Sequence, residues 1–219
     1  MADPDDRLSI VFNGEIYNYR SLRERLVSEG CTFHTDSDTE VILHLYARQG
    51  EACVQELNGM FAFGIWDRVR RTLFLARDRM GVKPLYYAES PEAFVFASEI
   101  KAVLASGVVC ARCREEALTE YLVFRQVAGD ETRFAGARSL PPGCTMTVSE
   151  GRAETRRFWS RYPPAERHDE PYEDARARLA ELLEESVRLR MISDVPLGTF
   201  CSGGVDSSLV TALASRIKG

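Results

Sequence analysis

Gly198-Thr199-Phe200-Cys201-Ser202-Gly203-Gly204-Val205-Asp206-Ser207-Ser208-Leu209 stands near the end of this 219-residue chain. A short apolar run leads into Ser-Gly-Gly, then an acid and two serines, and a helical pattern follows from Leu209 to Ile217. The succession reads as a strand, a tight glycine turn and a helix N-terminus. Two glycines let the backbone bend and come close to a ligand, and the unpaired N–H groups of the first helical turn point at whatever lies there. An anion such as a phosphate is favoured at that place. No Gly-Lys-Ser/Thr follows, so the loop is not of the Walker type. Capping by Asp206 or Ser207 would explain a helix start. It does not explain why Ser202, both glycines, Asp206 and Ser207 occur together.

Composition sets the frame for that loop. A 45% apolar fraction and 28% charged residues are ordinary for a globular protein, and the length fits one large domain or two small ones. Net charge is −5, with no polybasic stretch to hold a nucleic acid or a membrane surface. No apolar run approaches spanning length, and Met1-Ala2-Asp3-Pro4-Asp5-Asp6 is the opposite of a signal peptide, so the expected location is cytoplasmic. Six cysteines are scattered at 31, 53, 110, 113, 144 and 201. The single CxxC at Cys110–Cys113 has no second pair and no histidine at ligand spacing, so neither zinc nor a disulfide framework is expected.

Upstream, Leu8 to Phe12 is an apolar run ending at Asn13-Gly14-Glu15, where Asn-Gly by itself signals a hairpin turn. Tyr19 to Glu29 reads as a helix stopped by Gly30, and Cys31 to His34 as a short strand. Ser37-Asp38-Thr39-Glu40 matches a capping box opening a helix that Gly50 ends. A short helix is expected around 52–57. Met60–Asp67 and Thr72–Ala76 read as paired strands, Leu85–Tyr87 and Ala93–Ala97 as a second hairpin. Helices are expected at Ser98–Ala105 and Glu115–Phe124, and strands at Met146–Val148 and Glu154–Phe158. Three prolines over Ser160–Pro171 mark a linker before a long helix from Tyr172 to Arg190.

The loop at Ser202–Ser208 resembles the SGGxDS pyrophosphate loop of ATP pyrophosphatases. Val11-Phe12-Asn13-Gly14-Glu15-Ile16-Tyr17-Asn18, Ser37–Glu40, Asn58–Phe63, Arg77–Tyr86, Ala97–Ala102 and Leu140–Gly143 precede it in order. The ordered set, running over nearly the whole chain, resembles glutamine-hydrolysing asparagine synthetases of the bacterial B type. That resemblance implies an α+β fold: an Ntn-hydrolase-like αββα sandwich (glutaminase, incomplete) over residues 1–160. A linker at 161–171 and the first strand-loop-helix of an α/β ATP-pyrophosphatase domain at 172–219 would follow. It also implies glutamine hydrolysis, ammonia transfer and adenylation of aspartate by ATP with Mg²⁺, and it allows a homodimer.

Residue by residue, the resemblance gives Asn13 and Gly14 to an oxyanion hole, and Gly14, Glu15 and Asp38 to glutamine. An amide-cleaving site needs such preorganised donors. Phe200, Ser202, Gly203, Gly204, Asp206, Ser207 and Ser208 would bind ATP, with Asp206 acting through Mg²⁺ bridging to pyrophosphate. Arg77, Asp78 and Arg79 are expected to form structural ion pairs. The family's nucleophile is an N-terminal cysteine, followed by an arginine for the glutamine carboxylate; here residue 2 is Ala2. The expectation is a piece of a longer synthetase that is inactive on its own. Two other readings compete: a relative adenylating another carboxylate, as β-lactam synthetases do, or a non-catalytic remnant that binds glutamine or a partner.

Overall fold

The computed structural model describes residues 1–162, 169–193 and 195–218. They fall into two compact units, Met1–Tyr162 and Pro163–Gly219. The linker expected over 161–171 lies largely outside the described residues.

The first unit is built on a five-stranded antiparallel sheet. β1 (Leu8–Ile16) pairs with β2 (Gly59–Asp67), and β2 with β3 (Thr72–Arg77). β7 (Cys144–Ser149) and β8 (Arg152–Arg157) complete the order β1-β2-β3-β7-β8. Alternation along each strand supplies two apolar faces. Leu8, Ile10 and Ile16 of β1 join Phe61, Phe63 and Ile65 of β2 on one face. Against them pack Leu22 and Leu26 of α1 (Tyr19–Ser28) and Val41, Ile42 and Leu45 of α2 (Asp38–Gln49).

The other face carries Ala62, Leu75 and Met146, which meet Tyr87 and Phe96 of a second sheet and Leu85 just before it. That sheet orders β5 (Phe94–Ala97), β4 (Tyr86–Glu89) and the two-residue β6 (Arg138–Ser139). Its outer face buries Ala88 against Val103 of α3 (Ile100–Ala105). Helix, sheet, sheet and helix are therefore stacked in the order expected of an αββα sandwich.

The glycine at 64 sets how closely the sheets approach. A Cβ there would lie 2.5 Å from Phe96 Cζ, so that ring occupies the space a side chain would need. α4 (Glu115–Phe124) has the expected bounds, and a 3-10 helix at Gly50–Gln55 stands where a short helix was expected at 52–57.

In the first unit three local sequence signals are overridden. β1 runs straight through Asn13-Gly14, paired with Ala62 and Phe61, so no hairpin turn forms there. The sheet offers nine residues a continuous ladder, which outweighs a two-residue turn preference. Cys31–His34 is not a strand; the N–H groups of His34 (2.8 Å) and Thr35 (2.7 Å) donate instead to the Glu40 carboxylate. For the same reason Glu40 does not close a capping box, although Ser37 Oγ does accept the Thr39 N–H at 3.2 Å.

In the second unit α5 (Tyr172–Arg190) and α6 (Val205–Lys218) bury Val187 and Ala214. Glu184 pairs with Arg188 at 2.7 Å and also with Arg216. The apolar run before Ser202 makes no ladder pairing among the described residues. A strand needs a neighbour to take its backbone hydrogen bonds; no strand among the described residues pairs with this run, so the strand expected before the loop does not form.

Candidate active site

Residues 13–16 of β1 bring together most of the sequence-predicted glutamine site. β1 is an edge strand, and its N–H groups alternate between β2 and the open side. The outward set is fixed by its partners. Leu8 N–H donates to Asp3 Oδ1 (2.8 Å), Ile10 N–H to the Met1 carbonyl (2.8 Å) and Ile16 N–H to Asp38 Oδ2 (2.9 Å). The same alternation directs the Gly14 N–H to the open edge. Phe61, opposite Gly14, turns the other way: its N–H donates to Asp78 Oδ2 (3.2 Å) and its carbonyl accepts from Asp78 N–H (2.8 Å).

Glycine is required at 14 by space. A Cβ would lie 2.2 Å from the Met60 carbonyl oxygen and 2.8 Å from Phe61 Cα. Both are backbone atoms of β2 that cannot step aside singly. Gly59, at the opposite corner of the ladder, has the same constraint, with Glu15 O at 2.3 Å. The two glycines draw β1 and β2 close at the end of the ladder where Asp38 sits.

Asn13 projects to the inter-sheet face beside Ala62, and its Nδ2 donates to Ser98 Oγ at 3.0 Å. An amide nitrogen has two hydrogens, so one remains for a ligand. Asp38 is the first residue of α2, and its bond to Ile16 N–H ties that helix to β1 two residues from Gly14. Glu15 lies on β1 between them. One backbone donor at Gly14, the Asn13 side-chain amide and the carboxylate residues Glu15 and Asp38 thus gather at one strand end, which suits an amide oxygen and an ammonium group.

The loop before Asp38 is held by Glu40, which is 6% exposed and accepts from His34 N–H, Thr35 N–H and Thr35 Oγ1 (2.6 Å). Burial alone would push its carboxyl up. The Thr35 hydroxyl, the two N–H groups and nearby His44 together hold it below the ordinary glutamate value.

The Arg77-Asp78-Arg79 segment is structural, and among the described residues it works through hydrogen bonds rather than ion pairs. Arg77 donates to the carbonyls of Lys83 (2.8 Å), Gly81 (3.0 Å) and Leu140 (2.7 Å) and to Ser139 Oγ (3.0 Å). Asp78, buried, accepts from Phe61, Met80, Val82 and Lys83 N–H groups. Arg79 donates to the Gln55 carbonyl at 3.1 Å. Together they fold residues 77–83 against the start of β2.

Two of the first unit's cysteines are buried too deeply to serve as nucleophiles. Burial pushes the Cys53 thiol up to about 12 and raises that of Cys144. Among the described residues no group of histidine, cysteine and carboxylate side chains could by itself hold a metal ion.

In the second unit the glycine-serine loop forms as expected. Gly203 has φ +82°, the left-handed region that glycine enters without strain. Ser202 Oγ and Ser207 Oγ lie 3.0 Å apart, Ser202 N–H donates to Ser207 Oγ (3.2 Å), and Ser207 Oγ donates to the Gly204 carbonyl (3.1 Å). The loop lies open, with Phe200 and Val205 exposed and Asp206 and Ser208 in the first turn of α6. Cys201 Sγ is 3.8 Å from Ser208 Oγ.

A family described as "Glutamine amidotransferase domain" matches residues 1–159. The chain belongs to that family. A second family, "Asparagine synthase", matches residues 178–219. Asparagine synthetase [glutamine-hydrolyzing] 3 of Bacillus subtilis is 40% identical over 211 residues, covering 96% of this chain and 34% of the relative. Asparagine synthetase [glutamine-hydrolyzing] 1 of the same organism is 38% identical, covering 97% and 33%. The chain therefore spans about a third of the length of the curated relatives it matches. Among solved structures, the glutamine phosphoribosylpyrophosphate amidotransferase of B. subtilis superposes with TM-score 0.54 at 21% identity, covering 99% of this chain and 46% of that one. At that identity it speaks for the amidotransferase fold.

Sequence reasoning did not single out Ser98 or the role of Glu40. Both lie inside stretches that carried the family resemblance, but their partners are contacts that only the fold creates. Ser98 lies 85 residues from Asn13.

Proposed function

We propose that this chain supplies the glutamine-handling domain and the start of the ATP-handling domain of a glutamine-dependent asparagine synthetase. The observation that carries the reading is the end of β1. There the outward Gly14 N–H, the Asn13 amide fixed at 3.0 Å to Ser98, and Asp38 held at 2.9 Å to Ile16 gather at one strand end. Asn13 Nδ2 and Gly14 N–H stabilise the oxyanion as the glutamine side-chain amide is attacked. Asp38 and Glu15 take the α-amino group. The attacking thiolate is assigned to none of the six cysteines.

Ser202, Gly203, Gly204, Ser207 and Ser208 bind the ATP phosphates through N–H and hydroxyl groups at the N-terminus of α6, and Phe200 contributes its backbone to adenine. Asp206, a single carboxylate in the first turn of α6, suits a Mg²⁺ that takes most of its ligands from phosphate oxygens and water. Mg²⁺ would supply charge neutralisation at the pyrophosphate. Aspartate is the acceptor, its side-chain carboxylate adenylated and then attacked by ammonia. No helix among the described residues is long and apolar enough to cross a membrane, and a cytoplasmic location fits these substrates.

The test uses the polypeptide as its gene encodes it, given glutamine, aspartate and Mg-ATP. Asparagine, AMP and pyrophosphate should appear in equal amounts and depend on aspartate. Pyrophosphate release with another carboxylate and none with aspartate would replace the acceptor, and no glutamine-dependent product would sink the reading.

A further inference from the structure

We infer that Ser98 is the positioning residue for the oxyanion-hole amide, resting on the site reading above. Three placements lead to it. Asn13 lies on the inter-sheet face of β1, next to Ala62, so its side chain faces the second sheet. Gly64, two residues along β2 on that same face, leaves the space into which Phe96 inserts, with Cζ 2.5 Å and Cε2 2.6 Å from where a Cβ would be. Ser98 lies in the bend just after β5, only two residues beyond Phe96. Phe96 seated on Gly64 therefore carries Ser98 across the gap, and Ser98 Oγ accepts from Asn13 Nδ2 at 3.0 Å.

The hydroxyl, as acceptor, occupies one hydrogen of the Asn13 amide and so fixes the direction of the other. A group that stabilises a developing oxyanion works only if its donors are already aimed. Ser98 touches neither glutamine nor the reacting atoms; it acts through Asn13.

The experiment compares wild type, Ser98→Ala, Ser98→Thr and Asn13→Ala in the polypeptide as its gene encodes it. The first readout is the Asn13 side-chain amide resonance pair in ¹⁵N-labelled protein. The second is glutamate release from glutamine, with kcat and KM separated. Ser98→Ala should shift the Asn13 pair and lower kcat by about 10-fold or more, a part of the roughly 100-fold expected for losing a donor outright. KM for glutamine should stay within about twofold, since ground-state binding is not the affected step. Ser98→Thr, which keeps a hydroxyl, should restore both resonance and kcat to within about threefold of wild type.

An unmoved Asn13 resonance in Ser98→Ala overturns the inference. So does a shifted resonance with an unchanged kcat, or a KM effect without a kcat effect. A wild-type rate that Asn13→Ala leaves intact, or a wild type inert to glutamine, counts instead against the site reading, and the resonance then decides the Ser98 contact by itself.

Discussion

Replacing Gly14 by alanine separates the architectural from the chemical demand at the end of β1. The new Cβ would sit 2.2 Å from the Met60 carbonyl oxygen, where a carbon–oxygen contact settles near 3.3–3.6 Å. The strands must therefore part by roughly 1 Å. Neither obstacle is the far end of a flexible side chain: Met60 O and Phe61 Cα belong to the β2 backbone, and Phe61 is itself tied to Asp78 through both its N–H and its carbonyl. β1, the edge strand, is the one that yields. Such overpacking costs about 1–3 kcal/mol, offset by up to about 1 kcal/mol from the less flexible unfolded chain. The variant should remain folded, given a typical stability of about 5–15 kcal/mol. Its catalytic loss should be larger, because a displacement of about 1 Å in a reacting geometry can cost about 100-fold. Urea unfolding with an unchanged m-value measures the first term, and glutamate release measures the second. A variant within about 0.5 kcal/mol and about threefold of wild type would refute both the close approach and the role of the Gly14 N–H.

Other substitutions probe the frame around the site. Asp78→Asn replaces a carboxylate that receives four N–H groups by an amide that must turn donors toward two of them. It should cost about 3–5 kcal/mol, seen as a fall of about 10 °C or more in Tm. Glu40 and Asp67 both have carboxyls held below their ordinary values of 4.5 and 3.8, so each contributes stability above that value and loses it as pH falls through the lower, folded one. For Asp67, burial pushes upward, but the Arg70 N–H and Arg7 outweigh it. Acid unfolding monitored below about pH 4.5 should be less steep in Glu40→Gln than in wild type; identical acid limbs would deny Glu40 its share. Gly203→Ala places a side chain at φ +82° and costs about 1–2 kcal/mol in the loop. ATP affinity measured by calorimetry should drop by about tenfold, and undiminished binding would remove the loop from the phosphate site.

What the sequence disclosed and what it withheld divide along the range of the interactions involved. α4 and α5 could be bounded from local signals, since Pro171 and the apolar spacing over Tyr172–Arg190 are properties of neighbouring residues. The strands of both sheets were legible from alternation, but β6, two residues long, has no period to read. At Asn13-Gly14 the local signal pointed to a turn, and the sheet overrode it because the glycine serves the contact with β2. Glu40 followed the capping-box spacing while its carboxylate went to the backbone at 34 and 35. Arg77 invited an ion-pair reading, yet its donors meet three carbonyls and a hydroxyl brought from as far as Leu140. The candidate site was legible as a set of residue types; the outward direction of the Gly14 N–H and the anchoring of Asn13 by Ser98 required the folded sandwich.

The central claim is that glutamine docks on the outer edge of β1. Titrating ¹⁵N-labelled protein with glutamine and following amide resonances tests it most directly. With glutamine docked there, the Gly14 backbone N–H, the Asn13 side-chain pair and the Ile16 N–H should move together. Amides lining the groove of about 880 Å³ between the far hairpins, at Arg70, Glu92 and Glu150, should stay in place. Shifts gathered in that groove, with Gly14 and Asn13 unmoved, would contradict it.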